Sequence, residues 1–330
     1  MNSAAAPPAI DDGEIIFEIP DSFRIYRSGR VERLFEDVLV APSLDPATLV
    51  QSKDVVINPS TGLSVRIYLP PAASSTNSKL PILVSIHGGG FCLLRSSSSI
   101  YQSFINPLTA KARVLTVSID YRLAPEHPLP AAYDDCWEAL SWVVGRGGAD
   151  DPWLSKFGDL DTVFLSGESA GANIAHNLAM RLGREGLRVE GLMLLHPFFW
   201  GERRIGNEGE EAKERKVQEA AVLWKTVCPA TTGLDDPLIN PVADGAPSLA
   251  DLGCRRVLVC VAELDLLRDR GRIYYEKLKE SGWAGVAEFL ESEGVDHGFF
   301  FRDGGVTTEE LRERMISFMN NFSIPISNEV

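Results

Sequence analysis

The amino-acid sequence predicts an α/β fold with a mostly parallel central sheet and helices on both of its faces. Leu80–Ile86 and residues 256–262 are short, nearly continuous apolar runs, as expected of strands that are buried on both faces. Segments with apolar residues at helical spacing follow such runs, for example 267–281. Strands that alternate with helices favour a parallel sheet, and neither a repeat nor a linker divides the 330 residues. We therefore expect a single domain over residues 1–330.

The first half of the chain predicts an antiparallel hairpin followed by two buried strands. Residues 54–58 and Leu63–Leu69 are strand-like and are joined by a Pro-Ser-Thr-Gly turn. Leu80–Ile86 ends in a glycine-rich loop, and residues 114–119 repeat the strand pattern after a helix-like segment. Residues 120–135 contain three prolines, which prevent regular structure until a helix begins close to the end of the segment. We expect this segment to buttress the glycine-rich loop.

The second half continues the alternation and contains one long insertion. Residues 198–245 have no strand pattern, and we expect them to cap the functional site. Further strands are expected at 162–165, 191–195 and 286–290, and helices at 100–112, 174–182, 267–281 and 308–318.

The sequence Gly-Glu-Ser-Ala-Gly at 167–171 lies between a predicted strand and a predicted helix. It has the G-x-S-x-G pattern of a nucleophile elbow, in which the two glycines allow a strained turn to hold the serine hydroxyl clear of both elements. Small residues also occur in ordinary tight turns, but the strand–turn–helix context favours a catalytic serine. Ser169 is therefore the predicted nucleophile.

The three glycines after Leu80–Ile86 predict donors for the negative oxygen that forms when a serine attacks a carbonyl group. Consecutive glycines at the end of a strand can direct backbone N–H groups at a ligand without a Cβ in the way. The expected oxyanion hole comprises Gly88, Gly89, Gly90 and Ala170, and Gly89 and Gly90 are preferred to Gly88. His87 precedes these glycines and is interpreted as a structural hydrogen-bonding residue rather than a base.

The general base is expected to be a histidine. In this type of fold the catalytic order along the chain is Ser, acid, His, with each residue after a strand. His297 lies in the loop after the last strand and fits this order, whereas His176 is two turns into the helix that follows Ser169. His196 ends a strand and is a weaker candidate. The remaining histidines are His87 and His127.

The acid should follow a strand and hydrogen-bond the imidazole, which fixes its tautomer. Asp265 follows the strand at 256–262 and is the preferred residue, with Glu263 as a minor alternative. Asp269 is expected to lie a turn into the next helix, and Asp296 is too close to the base along the chain to orient it. The predicted catalytic set is thus Ser169, Asp265 and His297.

Composition and charge exclude several classes of function. The formal net charge of −14 argues against binding to nucleic acid or to an anionic membrane surface, because both favour clustered Lys and Arg. The N-terminus lacks a basic segment followed by an apolar one, and no apolar run reaches about 18 residues, so a cytosolic protein is expected. The five cysteines lack C-x-x-C spacing, which indicates reduced thiols and no zinc site. Neither a cofactor nor a metal is expected, and the partner is a small-molecule substrate.

Several segments together resemble the plant carboxylesterases of the hormone-sensitive-lipase group. They read HGGGF at 87–91, DYRLAPEHPLPAAYDD at 120–135, GESAGAN at 167–173, AELDLLRDRG at 262–271 and VDHGF at 295–299. The resemblance implies an α/β-hydrolase fold with a cap formed by about residues 1–45 and 198–245. It also implies a Ser169–Asp265–His297 triad that hydrolyses small carboxylic esters through an acyl-enzyme.

The same family contains proteins that are not simple esterases. HPFFWGERRIGNE at 196–208 and DDPLINPVADGAPSLA at 235–250 resemble 2-hydroxyisoflavanone dehydratases, which eliminate water. Legume dehydratases can carry Thr at the nucleophile position and HGGAF in the glycine loop, whereas this chain has Ser169 and Gly90, which favours hydrolysis. Lyase or cyclase steps in specialised metabolism stay open. Gibberellin receptors share the fold but lack the triad histidine, so His297 argues against a receptor.

Overall fold

A computed structural model describes residues 13–74, 78–302 and 304–321. The chain forms two compact units, Met1–Asp37 and Val38–Val330. The first unit contains a small antiparallel sheet of strands β1 (Ile15–Ile19), β2 (Phe23–Tyr26) and β3 (Val31–Arg33), in that order. Sequence reasoning did not predict these strands, because each is only three to five residues long and is interrupted by charged residues.

The second unit is built on an eight-stranded sheet with the order β11-β10-β9-β8-β6-β7-β5-β4. The six strands from β11 to β7 in this order run parallel, and β5 and β4 add an antiparallel edge. The predicted parallel sheet and hairpin are therefore confirmed. The strands are β4 (Gln51–Asn58), β5 (Leu63–Leu69), β6 (Leu80–Ile86), β7 (Leu115–Asp120), β8 (Gly158–Glu168), β9 (Val189–Leu195), β10 (Cys254–Ala262) and β11 (Val286–Ser292).

Helices cover both faces of this sheet. Phe318 of the last helix packs against Phe164 of β8 on the face that also buries Leu258 and Cys260. Val261 has the opposite orientation along β10 and meets the helix that follows this strand. The helices are α1 (Ser99–Ala112), α2 (Ala131–Val144), α3 (Arg146–Asp150), α4 (Pro152–Phe157), α5 (Ala170–Arg184), α6 (Glu214–Val227), α7 (Arg268–Glu280) and α8 (Val306–Asn320).

The insertion between β9 and β10 contains α6 and no strand in its fully described residues 198–245, in agreement with the sequence. All five cysteines are buried free thiols, as predicted. Across the described part of the chain, no helix combines the length and the apolar character that crossing a membrane requires. The loops at the carboxyl ends of β6, β8, β9 and β10, together with the loop after β11, carry the predicted site residues.

Candidate active site

Ser169 occupies a strained turn between β8, which ends at Glu168, and α5, which begins at Ala170. Its φ of 53° and ψ of −117° lie in a region that non-glycine residues rarely adopt, at a cost of about 1–3 kcal/mol. Backbone bonds hold the turn: the Ser169 N–H donates to the Leu195 carbonyl at 2.9 Å, and the Ser169 carbonyl accepts from the Phe198 N–H at 3.0 Å. The serine therefore has the geometry of a nucleophile elbow, with its side chain at the end of the sheet.

The glycines on either side of the serine are required by close packing. A Cβ on Gly167 would lie 2.1 Å from the Gly171 carbonyl oxygen, and a Cβ on Gly171 would lie 2.2 Å from the Ile86 carbonyl oxygen. No side chain fits at either position, because real Cβ atoms do not approach other heavy atoms below 3.0 Å. This packing places the start of α5 against the end of β6, where the glycine-rich loop begins.

The glycine-rich loop offers fewer free donors than the sequence suggested. The Gly88 N–H donates to the Tyr101 hydroxyl at 2.6 Å, so it is not available to a substrate oxygen, and the inclusion of Gly88 in the oxyanion hole is corrected. Gly89 and Gly90 have φ values of 87° and 60°, which turn the loop away from the strand direction. In the described structure no backbone carbonyl accepts from their N–H groups, and the Ala170 N–H is at the open first turn of α5.

Residues 120–135 buttress this loop, as predicted. The Tyr121 hydroxyl donates to the carbonyl of His87 at 2.9 Å and lies 3.2 Å from that of Gly88, and its ring stacks on the His87 ring at 4.1 Å. The Ala124 N–H donates to the Phe91 carbonyl at 2.9 Å. His87 is fully buried, and burial lowers its pKa. It therefore has the structural role expected from the sequence.

His297 and Asp265 meet through a short hydrogen bond. Nδ1 of His297 lies 2.7 Å from Oδ2 of Asp265, and Oδ1 of Asp265 accepts from the Leu267 N–H at 3.0 Å. A proton on Nδ1 that points at a carboxylate leaves Nε2 available to accept one. Asp265 is almost completely buried, whereas the His297 side chain is 34% exposed. This pair has the arrangement of an acid that orients a base.

The other candidate acids bind elsewhere. Glu263 accepts from the Gly294 N–H at 2.7 Å, and Asp269 pairs with Arg268. Oδ1 of Asp296 accepts the backbone N–H of the following histidine at 2.7 Å and does not contact its ring nitrogen. Of the carboxylates that the sequence proposed, Asp265 alone contacts the imidazole of His297 within the described residues.

The competing histidines are buried and have structural contacts. Nδ1 of His196 lies 3.1 Å from the Gly298 N–H and accepts from it, which fixes the residue after His297. Burial is the main reason why the pKa of His196 falls to about 4. His176 contacts the Tyr274 hydroxyl at 3.1 Å, and burial lowers its pKa to about 3. Both imidazoles are therefore neutral at pH 7.

The charges around His297 favour its protonated form. Burial lowers the pKa of His297, but Asp265 and Glu168 outweigh this effect, so the pKa lies well above the ordinary histidine value. Burial raises the pKa of Asp265, yet the charge of His297 and its hydrogen bond hold that pKa below the ordinary value. When His297 is protonated, it therefore forms an ion pair with the Asp265 carboxylate.

Sequence reasoning missed a second carboxylate at the base. Oε1 of Glu168 lies 3.4 Å from Nε2 of His297, and Oε2 accepts from the Tyr101 hydroxyl at 2.7 Å. In this arrangement no hydrogen bond joins the described Ser169 hydroxyl to His297, and catalytic hydrogen bonds are often long before substrate binds. The sequence feature that could have indicated this carboxylate is the acidic residue at the first x position of G-x-S-x-G.

The insertion contacts both halves of the site. Nδ2 of Asn207 donates to the Asp265 carbonyl at 2.8 Å, and Nζ of Lys216 on α6 lies 3.8 Å from Oδ2 of Asp296. Leu223, farther along α6, has its Cδ2 atom 3.1 Å from the position of a Cβ on Gly90. Helix α6 therefore extends from the histidine loop to the glycine-rich loop.

Three of these side chains also form the kind of cluster that can hold a metal ion. Ligand atoms of His196, Asp265 and His297 lie within 4.8 Å of one another. Nδ1 of His297 is bonded to Asp265, and Nδ1 of His196 is bonded to the Gly298 N–H. Because these atoms already serve hydrogen bonds, the cluster fits an acid–base pair better than a metal site.

Comparison with known proteins identifies similar plant enzymes. The chain is 46% identical over 316 residues to tuliposide A-converting enzyme 1 of Tulipa gesneriana, an alignment that covers 95% of this chain and 80% of that one. It is also 46% identical to the 2-hydroxyisoflavanone dehydratase of Glycyrrhiza echinata, with 93% and 96% covered. Among solved structures, the esterase of Pyrobaculum calidifontis has a TM-score of 0.68 at 27% identity, with 82% and 85% covered.

These relatives contradict the cytosolic location expected from the sequence. The tulip enzyme is named as chloroplastic, and further tulip enzymes of that name, at 44% identity, are named as amyloplastic. The expectation was wrong because it rested on the lack of a basic segment followed by an apolar one. That criterion detects secretion and does not detect import into plastids, which uses a different type of segment.

The family comparison agrees with the α/β fold of the second unit. A family model described as alpha/beta hydrolase fold matches residues 83–301, which run from within β6 to just beyond the His297 loop. This span contains every residue of the candidate site. The chain therefore belongs to the α/β-hydrolase family, within its hormone-sensitive-lipase-like, carboxylesterase-related group.

Proposed function

We propose that the protein is a serine carboxylesterase that hydrolyses small carboxylic esters through an acyl-enzyme. Ser169 attacks the ester carbonyl while Nε2 of His297 takes its proton, and Asp265 orients the imidazole. The N–H groups of Gly89, Gly90 and Ala170 hold the negative oxygen. His297 then gives its proton to the leaving alcohol, which leaves the acyl-enzyme. Water attacks the acyl carbon while His297 takes a proton from it, and the acid is released as the Ser169 oxygen takes that proton back.

The observation that carries this proposal is the 2.7 Å hydrogen bond between Nδ1 of His297 and the buried Asp265. A base oriented in this way is useful only if a nucleophile is held near its Nε2. The strained turn at Ser169 provides such a nucleophile at the adjoining strand end. Similarity to the archaeal esterase supports the same chemistry.

The insertion is proposed to select the substrate. Leu223 adjoins Gly90 and therefore limits the space beside the oxyanion donors, while Lys216 is near the histidine loop. A cap formed by residues 198–245 together with residues 1–45 stays a prediction. The plastid names of the tulip relatives support a plastid location for this protein.

The experiment compares the wild type with Ser169→Ala on p-nitrophenyl acetate and p-nitrophenyl butyrate. The wild type should hydrolyse both esters, and the variant should lose several orders of magnitude in kcat because the acyl-enzyme cannot form. Thermal unfolding of both proteins controls for folding. A variant that keeps most of its turnover would refute the assignment of the nucleophile.

Dehydration on the same site is the second candidate, and the dehydratase relative, aligned over 93% of this chain, favours it. In that reaction His297 would remove a proton and the glycine N–H groups would hold an enolate-like oxygen, so the Ser169 hydroxyl would only orient the substrate. Ser169→Ala should then reduce the turnover of a 2-hydroxyisoflavanone by only about 10- to 1000-fold. Faster turnover of this substrate than of either ester, with such a mild loss, would select dehydration.

A further inference from the structure

Glu168 is in contact with the base at the nitrogen that the reaction uses. Oε1 of Glu168 lies 3.4 Å from Nε2 of His297, while Asp265 is bonded to Nδ1 on the other side of the ring. The imidazole is therefore placed between two carboxylates. The second of them belongs to the residue immediately before the nucleophile.

The position of the Glu168 carboxylate is fixed by its other oxygen. The Tyr101 hydroxyl has a single proton, which it donates to Oε2 of Glu168 at 2.7 Å, and its oxygen accepts the Gly88 N–H at 2.6 Å. A Cβ on Gly88 would lie only 2.1 Å from Oε2. The carboxylate is thus confined between the glycine-rich loop and the base, and the Glu168 side chain is only 9% exposed.

The other ionisable groups near His297 do not place a charge against its ring as Glu168 does. His196 is 5.4 Å away between ring centroids and is neutral, and Asp296 and Arg302 contact the backbone of His297 rather than its ring. Lys216 of α6 lies 3.8 Å from Asp296. Among the described residues, Asp265 and Glu168 are the charged groups that face the two ring nitrogens.

We propose that Glu168 is a positioning residue that holds the imidazolium form of His297 during catalysis. When the Ser169 oxygen bonds to the ester carbon, its proton moves to Nε2, and the new N–H can donate to Oε1 of Glu168 until the leaving alcohol takes the proton. No other reactant is needed. This inference rests on the proposed function, because it assigns a partner to the base of that reaction.

The arrangement stabilises the protonated form of His297, and this has two opposite consequences for catalysis. It stabilises the imidazolium that forms in the transition state, which speeds acylation. It also stabilises the protonated resting enzyme, which cannot accept a proton from Ser169. The enzyme should therefore need a higher pH to become active than one with a single carboxylate at its histidine.

Glu168→Gln tests this role, because glutamine has the same shape and its carbonyl can still accept from Tyr101. Loss of the charge should move the acidic limb of the kcat/KM profile for p-nitrophenyl acetate to lower pH by about 1 unit. At a pH above the acidic limbs of both the wild type and the variant, the kcat of the variant should be lower on the order of 10-fold, because the imidazolium loses a partner. Glu309→Gln, which removes an exposed carboxylate on α8, should leave both quantities unchanged.

A second readout does not depend on activity. In protein labelled with ¹⁵N-histidine, an NMR titration should give His297 a lower pKa in Glu168→Gln than in the wild type. Glu168→Asp, which keeps the charge but withdraws it by one methylene, should give an intermediate value, and it serves as the test if the glutamine variant does not fold. An unchanged pKa of His297 in these variants would overturn the inference. Absence of ester hydrolysis in the wild type would instead refute the proposed function, and the NMR titration would still decide the role of Glu168.

Discussion

Replacement of Gly90 by valine should reduce kcat by orders of magnitude without unfolding the protein. Gly90 has a φ of 60°, and a Cβ there would lie 3.1 Å from Cδ2 of Leu223 on α6. A β-branched residue is strained at this φ by about 1–2 kcal/mol and also presses on Leu223. The loop relieves both effects by rotating, which turns the Gly90 N–H away from the substrate oxygen.

Loss of one such donor costs about 2.7–4 kcal/mol in the transition state, which corresponds to roughly 100- to 1000-fold in kcat. The assay is the hydrolysis of p-nitrophenyl acetate, with thermal unfolding measured on the same samples. Gly62→Val is the matched control, because Gly62 has a φ of 80° in the turn between β4 and β5 and a Cβ there would meet no atom within 4 Å. The control should lose about 1–2 kcal/mol of stability and keep its kcat. A Gly90→Val enzyme with wild-type kcat would show that the donors lie elsewhere.

Three further predictions concern the base, the acid and the cap. Because the pKa of His297 is raised, the neutral form needed for catalysis disappears as pH falls through that raised value. The acidic limb of kcat/KM should therefore lie well above the ordinary histidine pKa of about 6.5, and a limb at or below that ordinary value would contradict this. Asp265→Asn keeps the shape of the buried side chain but favours the wrong tautomer, so kcat should fall about 10³- to 10⁴-fold, and a loss below 10-fold would exclude Asp265 as the orienting acid. Leu223→Ala should raise kcat/KM for longer acyl chains relative to acetate, and an unchanged ratio would remove α6 from the acyl site.

The sheet and the order of the catalytic residues could be predicted because both depend on local patterns. Continuous apolar runs predicted β6 and β10, and the chain order of the family placed the base in the loop after β11. The structure brings His297 to Asp265 as that order predicts. Strands β1–β3 escaped prediction because very short strands with charged residues have no clear period.

Contacts between distant segments could not be predicted from the sequence. Tyr101 is 13 residues from Gly88 and 67 residues from Glu168, yet its hydroxyl joins the two and takes the Gly88 N–H out of the oxyanion hole. The pKa of His297 also depends on Glu168, so the acidic limb is expected at a higher pH than an ordinary histidine would give. Such effects can be recognised only from the three-dimensional structure, because they arise where strand ends and a helix meet.

Intact-protein mass spectrometry after treatment with a fluorophosphonate probe tests the central claim, that Ser169 is an activated nucleophile. The wild type should gain the mass of one phosphonyl group, and peptide mapping should place it on Ser169, because a serine beside an oriented histidine displaces fluoride from phosphorus. Ser169→Ala should gain no mass under the same conditions. An unmodified wild type, or an equal gain of mass in the alanine variant, would contradict the account.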